Sequence, residues 1–241
     1  MKKNFVVIAP ILISIVISIG AFADTIKESA VVSTAPYNWT GFYVGLNAGA
    51  VNHTMNITDT NATTFLGTIQ QVSNPALAGG LQAGYRRQVA LSSLAGVYGL
   101  EISANFSNAN FSKSYGSPSA LYQLNSTNSL DSICLFELTG GIAADKTLLF
   151  LAGGLSWVNI SGGTNNVSGA PFFNSFSVSK GEFGTALSAG IEYAFTDKLS
   201  ARFKVDVVSP NTYTTFDNVG DSFTVANTIV QGTFGINYKF A

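Results

Sequence analysis

Val230-Gln231-Gly232-Thr233-Phe234-Gly235-Ile236-Asn237-Tyr238-Lys239-Phe240 alternates residue by residue between two kinds of side chain. Val230, Phe234, Ile236, Tyr238 and Phe240 are apolar or aromatic. Gln231, Thr233, Gly235, Asn237 and Lys239 between them are polar or small. Successive residues of a β-strand point to opposite faces, so a period of two gives one greasy face and one polar face. A soluble barrel buries the greasy face, whereas a barrel in lipid turns it outward and keeps the polar face inside.

Working back along the chain, seven more segments repeat the pattern, at residues 40–50, 77–86, 97–106, 132–143, 148–159, 183–195 and 199–208. The charges inside the eight segments are Arg86, Glu101, Glu137, Glu192, Arg202, Lys204, Asp206 and Lys239. All fall on the register that also carries Gly, Ser, Asn and Thr. Aromatic residues of the other register (Phe42, Tyr85, Tyr193, Phe195, Tyr238, Phe240) cluster near segment ends, as the girdles of a membrane barrel do. A charge facing lipid costs about 2–4 kcal/mol at the bilayer midplane, so one-sided placement of eight charges selects the membrane reading.

The connections alternate in length. Long Asn/Thr/Ser-rich stretches (51–75, 107–130, 160–180, 209–227) follow segments one, three, five and seven and are expected as external loops. Shorter turns follow segments two, four and six. The expected fold is therefore all-β: an eight-stranded antiparallel up-and-down transmembrane barrel with four long external loops and short periplasmic turns.

The N-terminus agrees with export. Met1-Lys2-Lys3-Asn4, an apolar run from Phe5 to Ile19 and Ala21-Phe22-Ala23 are the basic start, apolar core and Ala-x-Ala site of a cleavable signal peptide. The run is shorter than the ~20 residues of a spanning helix. We expect residues 1–23 to be the signal peptide, 24–38 a flexible lead and 39–241 the barrel. The chain is 46% hydrophobic and 10% charged, against about 25% charged in ordinary soluble domains. Loss of Lys2 and Lys3 gives a mature net charge of about −3, which offers nothing to nucleic acid. One cysteine, Cys134, excludes an internal disulfide.

Asn38-Trp39-Thr40-Gly41-Phe42-Tyr43-Val44-Gly45-Leu46-Asn47-Ala48-Gly49 resembles the first strand of the small outer-membrane barrels of Gram-negative bacteria, the opacity-protein and outer-membrane immunogenic protein relatives often labelled "porin family". Tyr98-Gly99-Leu100-Glu101, Leu148-Leu149-Phe150-Leu151-Ala152-Gly153-Gly154-Leu155 and Ala189-Gly190-Ile191-Glu192-Tyr193 carry the resemblance onward. Gly235-Ile236-Asn237-Tyr238-Lys239-Phe240 is similar to the family's terminal strand. That implies an assembly signal at Phe234, Ile236, Tyr238 and Phe240 read by the barrel-assembly machinery, with Ala241 one residue beyond the closing aromatic. The resemblance also implies an outer-membrane location, lipid partners and a surface-antigen or adhesin role, with host surface molecules met through the loops. The family's usual arginines on the lumen face of strand four are replaced here by Glu137 and Thr139.

An eight-stranded barrel is just wide enough for side chains to fill. Glu192 and Arg202 fall opposite each other across the turn at 196–198, where unlike charges attract. Lys204 and Asp206 lie farther along their strand, within reach of Glu101 or Glu137 across the lumen. Glu101, Glu137, Glu192, Arg202, Lys204 and Asp206 are thus expected to form either a salt-bridge plug or a gated path for ions.

Other residues suggest less. His53, the one histidine, lies in the first expected loop near Asp59 and reads as a solvated side chain, with a catalytic dyad as the alternative. Cys134 falls on the lipid register. Trp39 and Trp157 read as interface anchors. No cofactor, metal or phosphate-binding motif is present. Three functions stay open: a non-enzymatic envelope and surface-contact barrel, a small pore for ions or small solutes, and an outer-membrane hydrolase of lipid or peptide.

Overall fold

The computed structural model of the protein describes residues 37–59, 68–72, 75–91, 94–115, 124–166, 176–216 and 222–240. The expected signal peptide and all but the end of the expected lead lie outside them. The strands are β1 (Gly41–Asp59), β2 (Thr68–Val72), β3 (Ala76–Ala90), β4 (Ala95–Tyr115), β5 (Leu124–Ala144), β6 (Thr147–Asn166), β7 (Phe176–Ala194), β8 (Leu199–Pro210), β9 (Tyr213–Phe216) and β10 (Ser222–Lys239). Neighbours pair antiparallel in the order β2-β1-β3-β4-β5-β6-β7-β8-β10-β9. β10 also pairs with β1, with Ile236 opposite Leu46 and Tyr238 opposite Val44, which closes the ring.

Ten segments make an eight-stranded wall because β2 and β9 are broken continuations of β3 and β8. On β1 the pairing runs from Val51 opposite Ala76 to Thr54 opposite Val72, so the partner advances one residue further than β1. On β10 it runs from Ile229 opposite Val208 to Val225 opposite Tyr213, again with one extra residue on the partner. On the β8–β9 side the extra residue is a bulge, with Pro210 at the end of β8, and Pro75 directly precedes β3. Proline has no N–H for the ladder, so such breaks are where it is tolerated.

The turns at one end are short. β5 and β6 are joined through Asp145, at φ 51°, and Lys146; aspartate tolerates this left-handed geometry. Between β7 and β8, Thr196 Oγ1 accepts from the N–H groups of Lys198 and Leu199 at 3.3 and 3.0 Å. The other end corrects the sequence reading. Long parts of the stretches expected as loops are paired strand, with β4–β5 pairing out to Tyr115 opposite Leu124 and β6–β7 out to Thr164 opposite Phe176.

The reason is an inversion of the alternation. In the lower part of β1, Phe42, Val44 and Leu46 are exposed on the outside, and the polar register faces in. Above Ala50 the inward residues Val51, Met55 and Ile57 are buried, and Asn52, Thr54 and Asn56 face out. β10 does the same, from exposed Phe234, Ile236 and Tyr238 to buried Ile229, Val225 and Phe223. Outside hydrocarbon, water covers the outer face, so the strand behaves like one of a soluble sheet and buries its grease inside.

Candidate functional site

The site is the interior of the barrel, which is filled in layers. At the short-turn end Tyr37, Trp39, Ala95, Val97, Ala143, Leu148, Phe150 and Ala194 form a buried apolar cluster. Tyr37 and Trp39 precede β1 and turn in beneath it, with ring centroids 4.6 Å apart. The Trp39 backbone N–H donates to Gln88 Oε1 at 2.8 Å and the Tyr37 hydroxyl to the Asp197 carbonyl at 3.3 Å. Lys239 donates to the Asn38 carbonyl, and its Nζ lies 4.3 Å from the Tyr37 ring centroid. Burial pushes the Tyr37 hydroxyl up to about 12. Trp39 is therefore a stopper inside the mouth, not the interface anchor expected, and the end of the lead is docked. Trp157 does face outward, in edge contact with Phe183 at 4.4 Å.

Above the stopper lies the charged layer. Arg86 of β3 packs over Tyr43 at 4.3 Å and near Phe150 and Trp39 at 5.8 and 5.9 Å. Its Nη1 lies 2.8 Å from Glu192 Oε2. Glu101 of β4 receives both Arg202 terminal nitrogens, at 2.5 and 3.0 Å, Lys204 Nζ at 3.2 Å and the Tyr43 hydroxyl at 2.5 Å. Lys204 also donates to Glu137 and lies 3.0 Å from Asp206. Glu101 and Glu137 are direct cross-strand partners, a juxtaposition of like charges that is unfavourable alone. Lys204, reaching from the opposite wall, offsets it.

Polar side chains complete the layer. Ser188 meets Glu137 and Asp206, Gln231 donates to Asp206 at 2.7 Å, and Ser200 and Asn237 donate to Glu192 at 2.5 and 2.9 Å. Asn47, Gln82 and Asn237 form a chain at 2.6 and 2.7 Å. Glycine makes room for this: a Cβ on Gly84 would sit 2.5 Å from the Tyr43 hydroxyl, and one on Gly190 2.5 Å from the Phe150 ring.

The structure brings all six residues expected in the network into one layer, each 3% exposed or less. Two points differ from the sequence reading. Arg202 and Glu192 are register partners, but the close partner of Arg202 is Glu101. Arg86, left out of the expected set, is the counter-ion of Glu192; its place on the polar register of β3 was the available signal.

Above the charges, Val51, Leu130, Ile133, Leu135, Val158, Ile160, Val208 and Ile229 belong to a second buried apolar cluster inside the ring. His53 lies there too, 1% exposed. One ring nitrogen is 3.0 Å from Asn227 Oδ1 and the other 3.0 Å from Asn128 Nδ2. It is a buried tie between β1, β10 and β5, not a solvated loop residue. The loop expectation failed because the alternation had inverted around it. Met55, Ile57, Phe223 and Val225 form a third cluster farther out.

Outside the ring, Phe42, Tyr85, Tyr193, Phe195, Tyr238 and Phe240 are exposed near the short-turn end. Phe234 and Ile236 continue that surface along β10, and Cys134 lies on the same outward register, half-buried. A closed antiparallel ring with an apolar outer belt, aromatic borders and ionic residues inside is a transmembrane β-barrel. The chain belongs to the outer membrane protein beta-barrel domain family, whose model matches residues 16–240. It is an integral protein of the Gram-negative outer membrane, and the long-hairpin end is the external one.

Two solved structures with TM-scores above 0.5 share the fold. The outer membrane protein OprG of Pseudomonas aeruginosa is 12% identical, with a TM-score of 0.51 over 84% of this chain and 97% of its own. The outer membrane protease OmpT of Escherichia coli is 11% identical, with 0.52 over 86% and 99%. Neisserial surface protein A is a more distant match, 16% identical with a TM-score of 0.40 over 83% of this chain and 98% of its own. No curated protein sequence matches.

Proposed function

We propose that this protein is a non-conducting, non-enzymatic barrel that anchors a rigid β-rim outside the membrane for contact with other surfaces. The observation that carries the reading is the filled interior: an aromatic stopper, a charged layer and an apolar layer succeed one another along the axis. Long Arg, Lys and Glu side chains bonded to one another across a narrow ring leave no continuous aqueous path. Paired strands carried beyond the lipid belt favour a contact role, because they present polar residues on a stiff support. Outer-membrane lipids cover the belt, and Phe234, Ile236, Tyr238 and Phe240 serve as the signal for the barrel-assembly machinery. Host surface molecules are the partners such a rim suits.

A hydrolase needs a base beside a nucleophile. Both ring nitrogens of His53 are engaged by amides inside an apolar layer, which disfavours that role. The deciding experiment is single-channel recording of the purified barrel in planar bilayers. Silence is the expected result, and steady nanosiemens conductance would replace this reading with the pore. Deleting residues 60–67 or 116–123 tests the contact role. Host-cell binding should fall while heat-modifiable gel migration persists.

A further inference from the structure

Above the lipid belt the pairing around the wall is interrupted among the described residues. β8 leaves β7 at Pro210, opposite Gly184, and the Asn211 N–H donates to the Phe183 carbonyl at 2.7 Å. Beyond that point residues 176–182 of β7 pair only with β6, and β9 pairs only with β10, among the described residues. On the other side, β3 leaves β4 at Ala78 opposite Ser107, and β2 continues along β1 instead. Among the described residues the rim is therefore two four-stranded sheets, β2-β1-β10-β9 and β4-β5-β6-β7, with a seam on either side.

The β7–β9 seam has three features that select an occupant. Both strands turn a ladder edge toward it, and a row of alternating N–H and C=O groups is matched by another extended backbone. Phe216 of β9 faces outward and is 64% exposed. It lies opposite Ser222, beyond the outward residues Thr228, Ala226 and Thr224, on the external side of the exposed apolar belt. On the inner face Lys180, with its side chain 55% exposed, reaches across the seam, its Nζ 5.1 Å from the Tyr213 ring centroid of β9, and pairs at 2.9 Å with Glu182 Oε1 of its own strand.

We infer that the β7–β9 seam is a strand-addition site for an extended polypeptide alternating apolar and acidic residues. A strand laid there places one set of side chains outward against Phe216 and the other inward against Lys180. Main-chain hydrogen bonds supply the affinity, and alternate side chains the selectivity. The inference rests on the surface-contact reading above and names the partner chemistry of the rim.

The test uses the full barrel in detergent micelles and fluorescence anisotropy of a labelled heptapeptide alternating valine with glutamate. Saturable binding is expected, with a valine–lysine heptapeptide weaker. Methylating the peptide's backbone nitrogens at the valines, or separately at the glutamates, should abolish binding in at least one of the two peptides. Phe216→Ser should weaken binding about tenfold by loss of the apolar contact. Lys180→Glu should weaken it about fivefold and reverse the preference between the two peptides. Heat-modifiable migration of each variant shows that the barrel has formed. No binding, or binding that survives both methylation patterns, overturns the inference. Host-cell binding by the unmodified barrel is measured on the same preparation, so failure of strand addition is distinguishable from failure of the surface-contact reading.

Discussion

Glu192 and Arg202 face each other across the β7–β8 pair, yet each gives its closest ionic contact to a different residue. Arg202 crosses to Glu101 at 2.5 Å, and Glu192 turns to Arg86 at 2.8 Å. A ring of eight strands brings opposite walls within reach of long side chains. The bidentate geometry that a guanidinium prefers is available across the lumen, and Arg202 takes it with Glu101.

Double-mutant cycles read this choice directly. Glu101→Gln with Arg202→Gln should show a coupling of about 2–3 kcal/mol in urea unfolding, and Glu192→Gln with Arg202→Gln about 1 kcal/mol or less. Equal couplings would mean that register, not cross-lumen reach, sets the pairing.

Removing one side of the layer is expected to be costly. Glu101→Ala leaves Arg202 and Lys204 short of a carboxylate in a water-poor interior, and such losses cost about 3–5 kcal/mol. The urea midpoint should fall accordingly, with Tyr43→Phe, which removes one hydroxyl bond to Glu101, falling by about 1–2 kcal/mol.

How much of this was written along the chain depends on the solvent each segment meets. Within the lipid belt the rule is strict, because hydrocarbon tolerates no ions. The positions of Phe42, Tyr85, Ile236 and Glu101 follow from alternation alone. Outside the belt water accepts polar residues on the outer face, so Val51, Met55 and Ile57 turn inward and the membrane rule reverses. His53 and the strand extensions were misread for that reason. Partners across the lumen were only partly legible, since Arg86–Glu192 and Arg202–Glu101 are set by distances between walls. Trp39 was misread because its place depends on where the lead bends, which no periodicity records.

The stopper should respond to alkali. Burial holds the Tyr37 hydroxyl at about 12, above its ordinary 10.0. Between those values the unfolded or undocked segment gives up its proton while the docked one keeps it. Docking is therefore at full strength below pH 10 and weakens as pH rises toward 12, by on the order of 2 kcal/mol. In a Trp157→Phe background, Trp39 fluorescence should shift to the red over that interval, and Tyr37→Phe should remove the shift. A Trp39 signal flat to pH 12 with Tyr37 intact would place the segment outside the lumen.

His53 ties β1 and β10 to β5 through Asn227 and Asn128. His53→Ala strips a partner from each amide inside the barrel and leaves a void. A buried polar group without a partner costs about 1–3 kcal/mol, so a loss of about 2–4 kcal/mol is expected with the void included. Amide hydrogen exchange should quicken first in the outer halves of β1 and β5, above Val51 and Leu130. If stability is unchanged, the ring is not a structural tie, and a reactive role for His53 regains weight.

Lys204 holds Glu101, Glu137 and Asp206 together, so a gate built on charge alone would open when it is removed. The geometry predicts the opposite for conduction. In Lys204→Met the Tyr37–Trp39 pair below and the Leu130–Ile229 apolar layer above are expected to remain in place, and under the closed-barrel proposal each blocks the ring without help from the ions. The variant should be less stable by about 3–5 kcal/mol and still electrically silent in planar bilayers. Combining it with Trp39→Ala and Leu130→Ala should produce the first measurable ion leak from loaded liposomes, because only then are all three closures breached. A leak from Lys204→Met alone, in barrel that still shows heat-modifiable migration, would make the charged layer the gate and return the ion path to first place.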